Sequence, residues 1–151
     1  LRTKDGDKVT LTIKELSYIN EMTLIVGLFM LSVGTLLGGV WANESWGRYW
    51  GWDPKETWAF ASMLIYVFVL HLRFIPKFKN AFTFNVWAMW AFCSIIMTYF
   101  GVNYYLSGLH SYAKGDPVPI PGWVYYTVGV FIVLSVAAYI RHKKVGKITI
   151  G

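Results

Sequence analysis

Three stretches of this 151-residue chain hold no charged side chain and are long enough to cross a membrane: Met22 to Trp41, Ala81 to Leu106 and Gly122 to Ile140. About 20 apolar residues span a hydrocarbon core as a helix. A fourth stretch, Pro54 to Arg73, carries Lys55 and Glu56 at its start and His71 near its end, around the apolar run Thr57 to Leu70. Lipid offers no partner to an open backbone N–H or C=O, so all four are expected to be helical. The fold class that follows is an all-α membrane protein. It has four transmembrane helices and a tryptophan-rich external loop, and it is expected to form part of a larger helical bundle. Charged residues make up 15% of the chain and hydrophobic ones 56%, against roughly 25% charged in soluble domains. That balance excludes a disordered tail and an ordinary soluble globule. The single cysteine, Cys93, excludes an internal disulfide framework, and there is no CxxC pair for zinc or dithiol exchange. Cys93, in the middle of the third span, reads as a small packing residue.

The basic residues set the expected orientation. Arg2, Lys4, Lys8 and Lys14 precede the first span, Arg73, Lys77 and Lys79 join the second and third, and Arg141, Lys143, Lys144 and Lys147 follow the fourth. The opposite side holds Arg48, Lys55 and Lys114. Both termini are therefore expected in the cytoplasm and both longer loops, 42–56 and 107–121, outside. The net charge of +6 is a topology signal, and no basic patch points to nucleic acid. Residues 1–20 read as a polar, β-like cytoplasmic lead-in (KVTLTI), residues 21–141 as the four-helix domain, and 142–151 as a basic cytoplasmic tail. The chain opens at Leu1 and is read as the C-terminal portion of something longer.

The first outer loop, WANESWGRYWGWDPKETW, packs Trp41, Trp46, Trp50, Trp52 and Trp58 into eighteen residues. An aromatic belt at the membrane interface would account for some of them, and Trp123 at the mouth of the fourth span is assigned to such a belt. Gly47 and Gly51 between the tryptophans let the backbone approach a ligand closely, so the loop also reads as a platform for a flat apolar ligand. Asp53, Pro54 and Glu56 fit an N-cap, a proline at the first helical position and a capping-box acid. DPKE needs no further function for that. A capped helix would nonetheless fix where the preceding tryptophans point.

Three histidines remain. His71 lies 17 residues beyond Pro54, about 25 Å down the second helix at 1.5 Å per residue. An ionisable group there is a functional candidate, or else a helix-end residue snorkelling beside Arg73. His110, in LSGLHSYAKGDP, shares the outer face with the tryptophans. His142, in RHKK, reads as a solvated cytoplasmic residue.

The run WGRYWGWDPKETWA resembles the tryptophan-rich WWD signature of haem-handling membrane proteins. The WDPKETWA variant is similar to the CcsA/ResC-type cytochrome c synthases of the System II maturation pathway, including fused CcsBA forms. A histidine closing the following helix (VLHLR) and another in the next outer loop (GLHSYA) agree. CcmC- and CcmF-type relatives share the WGxxWxWD core but diverge after the aspartate. The resemblance spans most of residues 22–140 and implies the following expectations. Haem b is carried across the membrane and held at the outer loop by Trp46, Gly47, Trp50, Trp52, Asp53, Pro54 and Glu56, with Trp41 and Trp58 alongside. His110 is an external axial ligand to the iron, and His71 an intramembrane ligand involved in haem passage. The partner is an apocytochrome c, whose CxxCH motif receives the haem through thioether bonds, making the chain part of a holocytochrome c synthase (haem lyase). In the family each of these histidines has a partner on another helix or loop. Neither is present, which points to an upstream segment or a CcsB/ResB-type partner. The implied location is a bacterial inner membrane or thylakoid membrane, with lipid as the surrounding phase.

Because His71 and His110 lie about a membrane thickness apart, they cannot ligate one iron in one conformation, so two haem stations are expected. No residue stands out as an acid or base. Catalysis is read as positioning, with Asp53 and Glu56 shaping the site. A haem transporter that hands its cargo on without forming bonds is the alternative. A non-haem module with an interfacial tryptophan belt is a third reading and predicts no bound pigment.

Overall fold

The computed structural model of the protein describes residues 4–106 and 119–149. Helix α1 runs Lys4–Trp46, α2 Pro54–His71, α3 Ala81–Ile96, α4 Val102–Tyr105 and α5 Gly122–Val145. A 3₁₀ turn, Leu72–Phe74, follows α2, and a π turn, Met97–Gly101, joins α3 to α4. Residues 81–105 thus form one rod with a π turn in it. Among the described residues, four helices are long and apolar enough to cross a membrane, which matches the four spans read from the sequence.

The segment read as β-like is helical. KVTLTI lies inside α1, which continues without a break for 43 residues. Its β-branched residues cost only a few tenths of a kcal/mol each in a helix. Their hydroxyls are satisfied on the preceding turn: Thr10 Oγ1 donates to Gly6 O (2.9 Å) and Thr12 Oγ1 to Lys8 O (3.1 Å). Once the apolar span has nucleated a helix, extending it is easier than ending it. At 1.5 Å per residue α1 is about 65 Å long, roughly twice a hydrocarbon core.

What holds α1 in place is polar. Asn85 on α3 donates to Ser17 Oγ (2.7 Å) and accepts from Asn20 Nδ2 (2.9 Å). One turn on, buried Glu21 is ion-paired with Arg73, in the 3₁₀ turn that follows α2. The core proper is small and lies between α2 and α3, where Val69, Phe84, Ala88 and Ala91 are buried against Leu24, Ile65, Tyr66 and Leu70. Small residues bring the two helices close. Fully buried Ser62 hydrogen-bonds Thr98 (3.0 Å), whose hydroxyl also reaches Trp58 O (3.2 Å). Helix α5 packs on α3, with Trp90 Nε1 donating to Ser135 Oγ (3.0 Å).

The outer faces of α1 and α5 are apolar and uncovered. Leu36 is 73% exposed and Tyr126 78%. A helix that is apolar yet unburied needs an apolar solvent, and the fold is that of an all-α membrane protein.

Candidate functional site

The tryptophan loop is built around the end of α1 and the start of α2. Helix α1 extends to Trp46, so Trp41 and Trp46 stand on a helix, and their rings meet edge to face at 5.0 Å. Gly47 ends the helix in a left-handed conformation (φ +70°), its N–H reaching Asn43 O (2.8 Å), as a glycine at that position commonly does. The chain then folds back on α1 at Gly39, where an added Cβ would sit 3.2 Å from Tyr49 O.

Helix α2 begins as expected. Asp53 is the N-cap, Pro54 opens the helix, and Asp53 and Glu56 form a reciprocal capping box. Glu56 does more than cap. Its Oε2 accepts from Asp53 N (3.2 Å) and from Gly51 N (2.7 Å). These two amides flank Trp52, which adopts a left-handed backbone (φ +56°), a conformation costing about 1–2 kcal/mol for a residue with a Cβ. The carboxylate holds the strained turn and leaves the indole of Trp52 68% exposed. Trp52 and Trp50 pack edge to face at 5.7 Å, and both approach Phe60 at 6.5 Å. Replacing Glu56 by alanine is expected to release both amides, cost about 2–3 kcal/mol and free Trp52 to leave the left-handed region. Glutamine, which keeps an acceptor oxygen, should lose less. Thermal unfolding and the emission spectrum of Trp52 in an otherwise phenylalanine-substituted loop would read both effects.

Behind this cluster an open groove of about 440 Å³ runs between α1 and the loop, lined by Met30, Gly34, Gly38, Trp41, Tyr49, Trp50, Lys55 and Glu56 among others. Nothing lies within 4 Å of a Cβ placed at Gly34 or Gly38, so the glycines leave the trough floor open. Of the residues singled out in the sequence, Trp41, Trp50 and Glu56 line the groove, Trp52 adjoins Trp50, and Gly47, Asp53 and Pro54 set the backbone. Trp46 stacks on Trp41 behind it. Trp58 is half-buried and makes no ring contact among the described residues; its carbonyl is tied to Thr98. Phe60 and Arg48 were not singled out in the sequence. Phe60 stands one turn beyond Glu56 on α2, a spacing that could have placed it. Trp123 packs edge to face on Phe100 (5.3 Å), away from the loop tryptophans.

His71 is at the opposite end of α2, exposed, with its Nδ1 2.7 Å from Val67 O. A carbonyl oxygen only accepts, so Nδ1 carries the proton and Nε2 the lone pair, the tautomer an imidazole needs to bind a metal through Nε2. His71 and the tryptophan groove are therefore separate places. His110 lies outside the described residues. His142 is stacked on Phe82 (4.8 Å, 13° between planes) rather than free in solvent.

Comparison with known proteins places this architecture. The family described as cytochrome C assembly protein matches residues 4–110. The chain is 57% identical over 127 residues to protein NrfI of Wolinella succinogenes, which covers 84% of this chain and 14% of that protein. It is 45% identical over 102 residues to the cytochrome c biogenesis protein CcsA of Lactuca sativa, covering 68% of this chain and 31% of the relative. Against CcsA of Prochlorococcus marinus (strain AS9601) the identity is 40% over 112 residues, covering 74% and 33%. The chain thus spans a third or less of the length of these relatives. On the family match and these identities, the chain belongs to the cytochrome c assembly family, as a CcsA-type cytochrome c biogenesis protein.

Proposed function

We propose that this chain is the haem-handling part of a cytochrome c synthase. It receives haem at one membrane face near His71 and holds it at the other face in the groove behind the tryptophan loop. There it presents the vinyl edge to the CxxCH motif of an apocytochrome c. The observation that carries the reading is the Glu56 clamp, a half-buried carboxylate that holds Trp52 outward beside an open groove lined by Trp41 and Trp50. An interfacial belt needs no strained backbone.

The chemistry asked of the protein is slight. Each cysteine S–H adds across a vinyl group, sulfur to one carbon and hydrogen to the other, with no net oxidation. The two acids at the start of α2 are committed, Asp53 to the cap and Glu56 to two amides, and the third acid of the loop region, Glu44, stands on α1. The site is left to act by orientation, which is worth a large share of a barrier when two reactants must meet. His110 supplies an axial ligand at the outer station, and further ligands come from an upstream segment or a CcsB-type partner. The tryptophan loop faces the external side and both ends of this chain the cytoplasm. The same commitment of both acids favours the alternative, a transporter that delivers haem and forms no bond.

The test is the visible spectrum, oxidised and reduced, of the full-length protein in mild detergent, with and without His110→Ala. A low-spin haem spectrum that changes in the variant supports the outer station. A colourless wild type refutes it. Covalent cytochrome formed from this protein and an apocytochrome alone separates synthase from transporter.

A further inference from the structure

Between Gly47 and Asp53 the loop carries a cation, Arg48, whose placement is unusual. Arg48 follows the helix-ending Gly47, and its side chain folds forward over Gly51. A Cβ added there would lie 2.4 Å from the guanidinium carbon, 2.6 Å from Nη1 and 2.8 Å from Nε. Gly51 does not have a positive φ. The backbone makes no demand for glycine here, and a larger residue would push the guanidinium aside. Arg48 is exposed and makes no hydrogen bond, ion pair or ring contact among the described residues.

The neighbouring charges are accounted for. Asp53 caps α2, Glu56 holds the amides of Gly51 and Asp53, and Lys55 reaches Asn103 Oδ1 (3.4 Å) across to α4. Glu44 stands exposed on the last turns of α1. A guanidinium lying over Gly51, between Trp50 and Trp52 in sequence, with its N–H groups uncommitted among the described residues, offers the planar fork that matches a carboxylate. Trp50 and Trp52 offer an apolar surface beside it. The pair of features fits a ligand with a flat apolar body and an ionised carboxylate at its rim.

We propose that Arg48 is the carboxylate anchor of the tryptophan loop, at the edge of the groove, binding a propionate of the haem whose macrocycle lies against Trp50 and Trp52. The inference rests on the haem reading above, and Gly51 serves it by leaving room for the guanidinium. Arg48 thereby sets which way round the macrocycle sits, with the propionate edge at the loop and the vinyl edge away from it.

The experiment compares haem with haem dimethyl ester, whose carboxylates are blocked, by absorbance titration of the full-length protein in detergent. His71 is kept, and a parallel titration of His110→Ala gives the signal of the inner station, which is subtracted. The parent is expected to bind haem about tenfold or more tighter than the ester, the range of a charge-assisted hydrogen bond. In Arg48→Gln that preference should vanish while affinity for the ester is unchanged, which also shows that the groove is intact. Arg48→Lys should keep part of the preference. Gly51→Ala, which displaces the guanidinium with Arg48 still present, should lose it. A full preference for haem in Arg48→Gln overturns the assignment. If the parent binds neither compound, the haem reading falls, and the anchor with it.

Discussion

Replacing His71 by alanine is expected to remove the haem signal from the inner end of α2 and to lower loading of the outer groove at least tenfold, with the fold intact. The imidazole is exposed and its one hydrogen bond is to the carbonyl a turn earlier, Val67 O. Losing an exposed side chain of this kind costs within about 0.5 kcal/mol of stability. What is lost is Nε2, the ring nitrogen that the Val67 contact leaves free to face a metal, so an iron there would lack that ligand. Imidazole added to the His71→Ala protein should restore part of the spectrum, because the vacated position is open to solvent or lipid. A variant with wild-type spectrum and wild-type cytochrome maturation would make His71 a helix-end residue and nothing more.

The second large effect is structural. Arg73→Ala should destabilise the bundle by about 3 kcal/mol, the lower end of the range for breaking a buried ion pair, since Arg73 is 34% exposed while Glu21 is 11% exposed at the side chain. The cost comes from leaving the Glu21 carboxylate buried without its partner. A double replacement, Glu21→Gln with Arg73→Met, should therefore recover most of the loss. The same pair fixes the depth of α1 against α2, so Arg73→Ala should also weaken haem loading, whereas the double variant should not. Thermal unfolding in detergent, read beside the haem spectrum, checks both. Equal destabilisation in the single and double variants would mean that the pair contributes through its own attraction and not by satisfying Glu21.

Much of this was legible in the sequence. Charge-free runs of membrane length admit only helices, and all four were found where the runs lie. The DPKE cap of α2 was equally plain, because capping is a contact between residues three apart. The tryptophan cluster could be seen as a cluster, but not how its members divide. Trp41 and Trp46 belong to α1, Trp50 and Trp52 join Phe60, and Trp58 stands apart.

The misreading of KVTLTI has a definite cause. β-propensity counts for little when no partner strand is at hand and a long helix is already nucleated next door. Local spacing also could not reveal that Glu56 reaches past its cap to Gly51, or that Arg48 folds onto that same glycine. Both depend on the path of a loop bent by a left-handed tryptophan.

The sequence by itself thus determined the class, the number of spans and the local caps, since these follow from transfer of apolar residues to lipid and from contacts within one turn. Only the tertiary structure decided the depth of α1 through Glu21 and Arg73, 52 residues apart, and the groove between α1 and the loop. Each of these depends on which side chains distant elements bring together, and hydropathy carries no information about that.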